Sequence, residues 1–204
     1  MLIIIHPENP QSKSVEAAAT ILREGGVIIY PTDTVYALGC DIFQARAIER
    51  IYKYRGIEPN KANLSFICSN MSQLSEFAKV DNNTFKLMKR LLPGPYTFIL
   101  NRSNRLPKLF RERTTVGIRI PDNHIARALI DALGNPILSA SLHSTEENIE
   151  EEYFTDPELI NEKFGNQVDA VIDGGIGGII PSTVIDCTSD KPVVIRQGKE
   201  KVFL

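Results

Sequence analysis

Tryptophan is absent from the 204 residues, and cysteine and histidine occur three times each. Cys40, Cys68 and Cys187 are odd in number and far apart, with no CxxC pair and no zinc-binding spacing. That excludes a disulfide framework and leaves buried, reduced thiols of a cytoplasmic protein as the expectation. Long apolar runs are missing too. Leu2 to Ile5 is too short for a signal-peptide core, and no run approaches the ~20 residues that span a bilayer, so no membrane contact is expected. Charge of one sign is not in excess: 23 Lys and Arg face 25 Asp and Glu, which excludes a generally sticky polycation. The glycine-rich stretch Asp173–Gly178 has neither the Rossmann nor the P-loop spacing. No G-x-S-x-G surrounds Ser139 or Ser141, so neither is a nucleophile elbow. No metal-ligand set is recognised, and no protein-held metal is expected.

What is present is an ordinary globular composition, 43% hydrophobic and 24% charged. The length suits one core, and a single domain over 1–204 is expected. Charge is unevenly distributed. From Thr84 to Arg127 there are ten Lys and Arg against two acids; from Ala128 to Asp169 there is one against ten. Segregation of this kind can make a basic face on a near-neutral protein. Its candidate RNA-binding residues are Lys86, Lys89, Arg90, Arg102, Arg105, Lys108, Arg111 and Arg113. The alternative is that the two stretches interleave in space and neutralise each other.

Strand and helix patterns alternate. Strands are expected at Leu2–Ile5, Val27–Tyr30, Leu64–Cys68, Tyr96–Leu100, Val116–Ile120, Ile137–Ala140, Ala170–Ile172, Val184–Asp186 and Val193–Arg196. Helices are expected at Val15–Arg23, Ala45–Arg55, Ser72–Phe77, Thr84–Leu92, His124–Leu133 and Pro157–Phe164, the last capped by Asp156. Thr145–Glu152 reads as an acidic exposed loop or helix. The pattern predicts an α/β fold with a mixed sheet.

Several motifs carry chemistry. Tyr30 to Gly39 (YPTDTVYALG) delivers a hydroxyl-rich turn from a strand, fit for a small polar ligand or for capping the next segment. Lys53, Arg55 and Lys61 end a helix and enter the following loop. They complement its dipole or clamp phosphate. Arg119 alternates with Ile118 and Ile120, so it faces opposite to both. It lies on an edge or lines a polar cavity. Ser139, Ser141 and His143 share one side of a strand pattern; a buried serine pair bonded to backbone is the alternative. The glycines of 173–178 permit close backbone approach to a ligand, and Arg196 ends the last strand.

The phrases YPTDTVYALG, IYKYRG, PGPYTFIL, VGIRIP, DAVIDGG, STVIDCT and VVIRQG, in this order from about Val15 to Gly198, resemble the YrdC/YciO family. The opening IHPENPQ resembles its YciO-like branch. The resemblance implies a single α/β domain with a twisted, mixed open sheet and a large basic concave cavity. It implies an L-threonylcarbamoyladenylate synthase that joins threonine, bicarbonate and ATP, with Mg²⁺ on the ATP, for tRNA threonylcarbamoyladenosine modification. The alternative it leaves is a non-catalytic translation accessory protein that binds double-stranded RNA or tRNA.

By the same resemblance Arg55, Lys61 and Arg119 are the catalytic candidates. Thr34 and Tyr36 would line the threonine end, Arg119 and Ser182 would hold carboxylate or carbamate, and Ser141 and Arg196 would hold the nucleotide. Thr32, Thr97, Ser139 and His143 complete the binding candidates. Two positions depart from the synthase pattern. Arg55-Gly56-Ile57 stands where synthases carry Lys-Gly-Arg, and Ser141-Leu142-His143 stands where they carry Ser-x-Asn. A lost phosphate contact costs ~2–4 kcal/mol of transition-state stabilisation, so a slow synthase that still binds nucleotide is expected.

Overall fold

The computed structural model describes residues 1–56, 64–142 and 150–203. Its strands are β1 (Leu2–Ile4), β2 (Ile28–Tyr30), β3 (Ala37–Asp41), β4 (Ser65–Ile67), β5 (Ala78–Lys79), β6 (Tyr96–Arg102), β7 (Thr115–Arg119), β8 (Ile137–Ser141), β9 (Ala170–Asp173), β10 (Thr183–Asp186) and β11 (Val193–Arg196). Its helices are α1 (Ser12–Arg23), α2 (Ala45–Arg55), α3 (Met71–Phe77), α4 (Asn82–Leu91), α5 (His124–Leu133) and α6 (Pro157–Phe164). The strands form one open sheet in the order β1-β9-β2-β3-β8-β4-β7-β6-β10-β11, with β5 paired to β6. Parallel pairs such as β4 with β7 and β6 with β10 mix with antiparallel ones such as β3 with β8. This is the expected α/β domain with a mixed open sheet.

Alternation along the strands decides what covers each face. Phe66, Phe98, Leu100, Val116, Ile118 and Leu138 point one way, into the larger core with Ile48 and Ile51 of α2, Leu74 of α3 and Met88 of α4. On the opposite face Ile28, Tyr30, Ala37, Ile137, Ala170 and Ile172 pack under α1 and α5. That cover reaches Ile67 of β4. Beyond it the same face carries Ser65, Thr115, Gly117, Thr97 and Val184. This face, with Ile99 and Val184 among hydroxyls and a glycine, has little apolar surface to bury, so no helix among the described residues covers it and a cavity remains.

Helix ends follow local chemistry. Asn70, Asp81, Asn123 and Asp156 accept backbone N–H bonds at the starts of α3, α4, α5 and α6. Gly134, at φ 78°, ends α5 in a left-handed conformation that favours glycine.

The bounds expected for α2, α5, α6 and β11 coincide with those observed, and most others shift by one or two residues. β3 is a correction, because residues 37–39 fall inside the segment read as a turn and no strand was expected there. Ala37–Asp41 is buried throughout, so no polar alternation marks it. β5 and the short 3₁₀ turns Lys108–Phe110 and Gly165–Gln167 lie outside the expected elements, and the 3₁₀ turn Glu151–Phe154 begins in the segment read as an acidic exposed loop or helix. Residues 143–149 of the acidic segment lie outside the described residues. No helix among the described residues is long and apolar enough to cross a membrane.

Candidate functional site

The uncovered sheet face forms the floor of a cavity of about 380 Å³, within the range of small-ligand sites. Strand register builds it. Ser65 of β4 lies between Ser139 of β8 and Gly117 of β7, and Gly117 lies beside Ile99 of β6. Thr97 pairs with Val184 of β10 in the next row. A Cβ at Gly117 would meet Leu64 O at 3.3 Å, so glycine keeps the floor low at this point.

Arg119 ends β7 and is 6% exposed. Its Nη1 donates to Thr34 Oγ1 at 2.9 Å, and its Nη2 is ion-paired to Asp33. Thr32 Oγ1 bonds Val35 O at 2.7 Å and lies 3.0 Å from Thr34 Oγ1, so the turn holds its own hydroxyls in place. Burial pulls Arg119 below the ordinary arginine value, against Asp33 and Tyr30. A guanidinium nevertheless stays charged at neutral pH. Arg119 Nε and Asp33 Oδ2 are buried with no protein hydrogen-bond partner. Buried polar atoms are rarely left unsatisfied without a reason, and both belong to an ion pair whose arginine lines the cavity.

On the β10 side Thr97 Oγ1 and Ser182 Oγ are 2.8 Å apart. Arg196 donates from Nη2 to Ser182 O at 2.9 Å and to Ser182 Oγ at 3.3 Å. Gly198 lets the chain turn tightly there, since a Cβ would lie 2.2 Å from Pro181 O. Across the cavity, Arg55 of α2 donates to Ser141 O at 2.5 Å. Burial lowers the pKa of both Arg55 and Arg196. Tyr30 donates to Ser139 Oγ at 2.9 Å from beneath the floor. Its burial pushes its hydroxyl up to about 12, so it stays protonated.

Thus Thr32, Thr97, Arg119, Ser139, Ser141, Ser182 and Arg196 line one cavity, and Thr34 and Arg55 bond directly to lining residues. Tyr36 is a correction. Fully buried, its hydroxyl donates to Gly175 O at 2.7 Å and accepts from Gly174 N–H. The glycine run accommodates this ring and the Thr34 backbone, and does not line the cavity. Lys61, Ile57 and His143 lie outside the described residues.

Arg113, read from the sequence as a surface cation, also lines the cavity. Arg105 is ion-paired with Glu76 at 2.7 Å, Arg90 donates to Phe203 O at 3.1 Å, and Arg102 is half-buried with a long 3.4 Å bond to Ser103 O. Lys86, Lys89, Lys108 and Arg111 are exposed. Sequence reasoning missed Asp33, Ser65, Gly117 and Thr115 as parts of the site. Period two from Arg119 gives Gly117 and Thr115, so that signal was present.

Among the described residues the lining offers hydroxyls and guanidiniums and no carboxylate. No cluster of three or more potential metal ligands occurs among the described residues. The thiols are buried and unpaired, and burial raises all three, Cys187 to about 11. None is placed to act as a thiolate.

The model of the Sua5, YciO and YrdC family, described as "Telomere recombination", matches residues 20–198. The chain is 47% identical over 196 residues to the Escherichia coli K12 protein described as "Uncharacterized protein YciO", covering 95% of this chain and 93% of that one. The crystal structure of E. coli YciO superposes with a TM-score of 0.87 at 45% identity, over 97% of this chain and 95% of that one. A Pyrococcus abyssi threonylcarbamoyl-AMP synthase is 33% identical over 97% of this chain and 58% of its own length. The structure of P. abyssi Sua5 complexed with L-threonine gives a TM-score of 0.85 at 31% identity, over 97% and 57%. With its cavity, its sheet and these matches, the chain belongs to the Sua5/YciO/YrdC family, and it resembles YciO more than it resembles the synthases.

Proposed function

We propose that the cavity binds ATP and threonine, and that the protein is a slow L-threonylcarbamoyladenylate synthase serving tRNA modification. The observation that carries this reading is the meeting of Thr32, Arg119, Ser141, Ser182 and Arg196, from five separate segments, on one arginine-lined cavity with no lining carboxylate among the described residues. Relatives named as synthases, and a relative crystallised with L-threonine, support it. In this reaction the threonine amine and bicarbonate give a carbamate and water. A carbamate oxygen then bonds the α-phosphorus as the bond to the pyrophosphate oxygen breaks, and pyrophosphate leaves.

The protein's contribution is positioning and charge. Arg119, braced by Asp33 and Thr34, turns its guanidinium to the amino-acid carboxylate. The Thr97–Ser182–Arg196 cluster faces the nucleotide end, and Arg55 fixes the Ser141 backbone. The described lining has no carboxylate to hold Mg²⁺, so the ion would come with the triphosphate, where it would neutralise phosphate charge.

Pyrophosphate release with ATP, threonine, bicarbonate and Mg²⁺ tests the reading. Turnover is expected to be detectable, dependent on all substrates, and well below that of a typical synthase. Ile57→Arg with His143→Asn is expected to raise it, since these changes restore a cation and a two-way hydrogen-bonding amide. Release that is absent, or unchanged when threonine is withheld, would sink the proposal. The second reading is non-catalytic RNA binding through Lys86, Lys89, Lys108 and Arg111, favoured by the exposure of all four. Its test is binding to a structured RNA across a salt series, where affinity should fall steeply as counterions compete. Flat or absent binding rejects it.

A further inference from the structure

The buried ion pair between Arg119 and Asp33 contains one carboxylate oxygen more than the bracing of Arg119 requires. Asp33 holds Arg119 Nη2 through Oδ1. Its Oδ2 is buried and has no hydrogen-bond partner among the described residues. The other amine of the guanidinium is held by a neutral chain of hydroxyls. Thr32 Oγ1 gives its proton to Val35 O at 2.7 Å, so in its 3.0 Å contact with Thr34 the Thr34 hydroxyl is the donor. Thr34 Oγ1 in turn accepts from Arg119 Nη1. An asparagine at position 33 would supply the same single acceptor to Nη2 without a buried charge, and a buried ion pair adds little stability over neutral replacements. What a carboxylate adds here over a carboxamide is its negative charge.

That charge acts on a lining residue. Arg196 stands close enough to Arg119 to oppose its charge, and Asp33 acts on Arg119 in the opposite sense. Arg196 is bonded to the backbone and hydroxyl of Ser182, which are neutral. Lys199 pins the turn from outside, donating from Nζ to Asp33 O at 2.6 Å, but it is exposed and screened by solvent. A compensated guanidinium keeps its hydrogen-bond donors and attracts less by charge. Coulomb energy scales with the charge of the ligand, so a buried carboxylate beside the site repels a dianion twice as strongly as a monoanion in the same place.

We propose that Asp33 is a specificity-determining residue of the cavity: by offsetting Arg119 it makes this end select a singly charged oxyanion, such as a carboxylate, over a doubly charged one, such as a phosphate monoester. Asp33 is not itself a lining residue, so it acts by its field and through Arg119. That the carboxylate is threonine's rests on the proposed function; the selection by charge rests on the ion pair.

Sulfate and methyl sulfate are alike in shape, differ by a single charge and do not titrate near neutral pH. Their affinities and that of threonine, read from thermal-shift titrations at constant ionic strength in wild type, Asp33→Asn and Asp33→Glu, provide the test. Arg119→Met with Asp33→Asn lacks both partners, and binding that persists in it is subtracted. Wild type is expected to bind methyl sulfate at least as tightly as sulfate. Asp33→Asn keeps an acceptor for Arg119 and is expected to bind sulfate about tenfold more tightly and methyl sulfate about threefold, while threonine, whose two charges respond in opposite senses, changes less than about twofold. Asp33→Glu keeps the charge and is expected to keep the wild-type preference. Wild type that favours sulfate, or a ratio of sulfate to methyl sulfate affinity unmoved in Asp33→Asn, overturns the proposal; if the variants do not fold, the wild-type preference decides it. Wild type that binds methyl sulfate but not threonine rejects threonine as the ligand alone, and the two anions still decide the selection by charge. Wild type and Asp33→Asn that both bind neither anion overturn it.

Discussion

Arg119 illustrates how one residue serves stability and site together. Its ion pair with Asp33 is buried, with side-chain exposures of 7% and 10%. Removing one partner of such a pair strands the other charge, at a cost of about 3–5 kcal/mol. Arg119→Ala should lower unfolding free energy in urea by that amount. Arg119→Met with Asp33→Asn should recover part of it, because no buried full charge remains. A loss under 1 kcal/mol in the single variant would contradict this account. Tyr30 makes a different prediction. Burial raises its pKa to about 12, above the value near 10 of an exposed tyrosine. The folded state therefore holds the proton more tightly. This contribution is complete below pH 10 and is lost as pH rises from about 10 to about 12. Tyr30→Phe should flatten the fall in stability over that window, while giving up the bond to Ser139 at ~1 kcal/mol near neutral pH. An unchanged alkaline slope would reject it.

Among the elements, β2 and β3 are locked by a close approach at Gly39. A Cβ there would lie 2.7 Å from both Ile137 Cγ2 and Tyr30 Cε1. Neither neighbour is free to retreat, since Tyr30 and Ile137 are fully buried. Gly39→Ala should destabilise the protein by about 1–3 kcal/mol, the cost of overpacking a core, and should move the Tyr30 hydroxyl that supports Ser139. Unfolding measurements that show no loss would refute this. The same strands mark how far the sequence could be read. Helices α2, α5 and α6 announce themselves by apolar periodicity and end signals, and their bounds are legible to the residue. β3 is short, wholly buried and contains glycine, so it has no period to detect. Arg119 could be turned toward a cavity by strand alternation alone. Arg113 could not, because the chain between β6 and β7 has no sustained period, and only the folded structure separates it from the surface cations nearby. Tyr36 shows the converse failure: a hydroxyl-rich turn suggested a ligand contact, but long-range packing against the glycine run uses that hydroxyl instead.

Across the whole molecule, the sheet is sandwiched on one side along most of its width and left open on the other beyond β4. The open part is closed laterally by segments distant in sequence: the turn after β2, the end of α2, the chain before β7, and the β10–β11 corner. A ligand touching these walls ties together parts of the chain that the unfolded state holds apart, and it has no comparable site there. Binding must then appear as stability. At a free concentration 100 times its dissociation constant, a ligand adds about 2.7 kcal/mol. For a domain of this size 1 kcal/mol corresponds to roughly 2–4 °C in Tm, so ATP with Mg²⁺ should raise Tm by roughly 5–11 °C at saturation. Threonine should raise it separately. If both occupy the cavity in adjacent positions, the two together should exceed either alone. Arg119→Ala should abolish the threonine shift and Arg196→Gln should reduce the ATP shift, each measured against its own unliganded Tm. Scanning calorimetry of the intact chain, with and without each ligand, decides the matter. A Tm unmoved by ATP, by threonine and by the pair would mean that the cavity holds neither, and that its arginines answer to another anion.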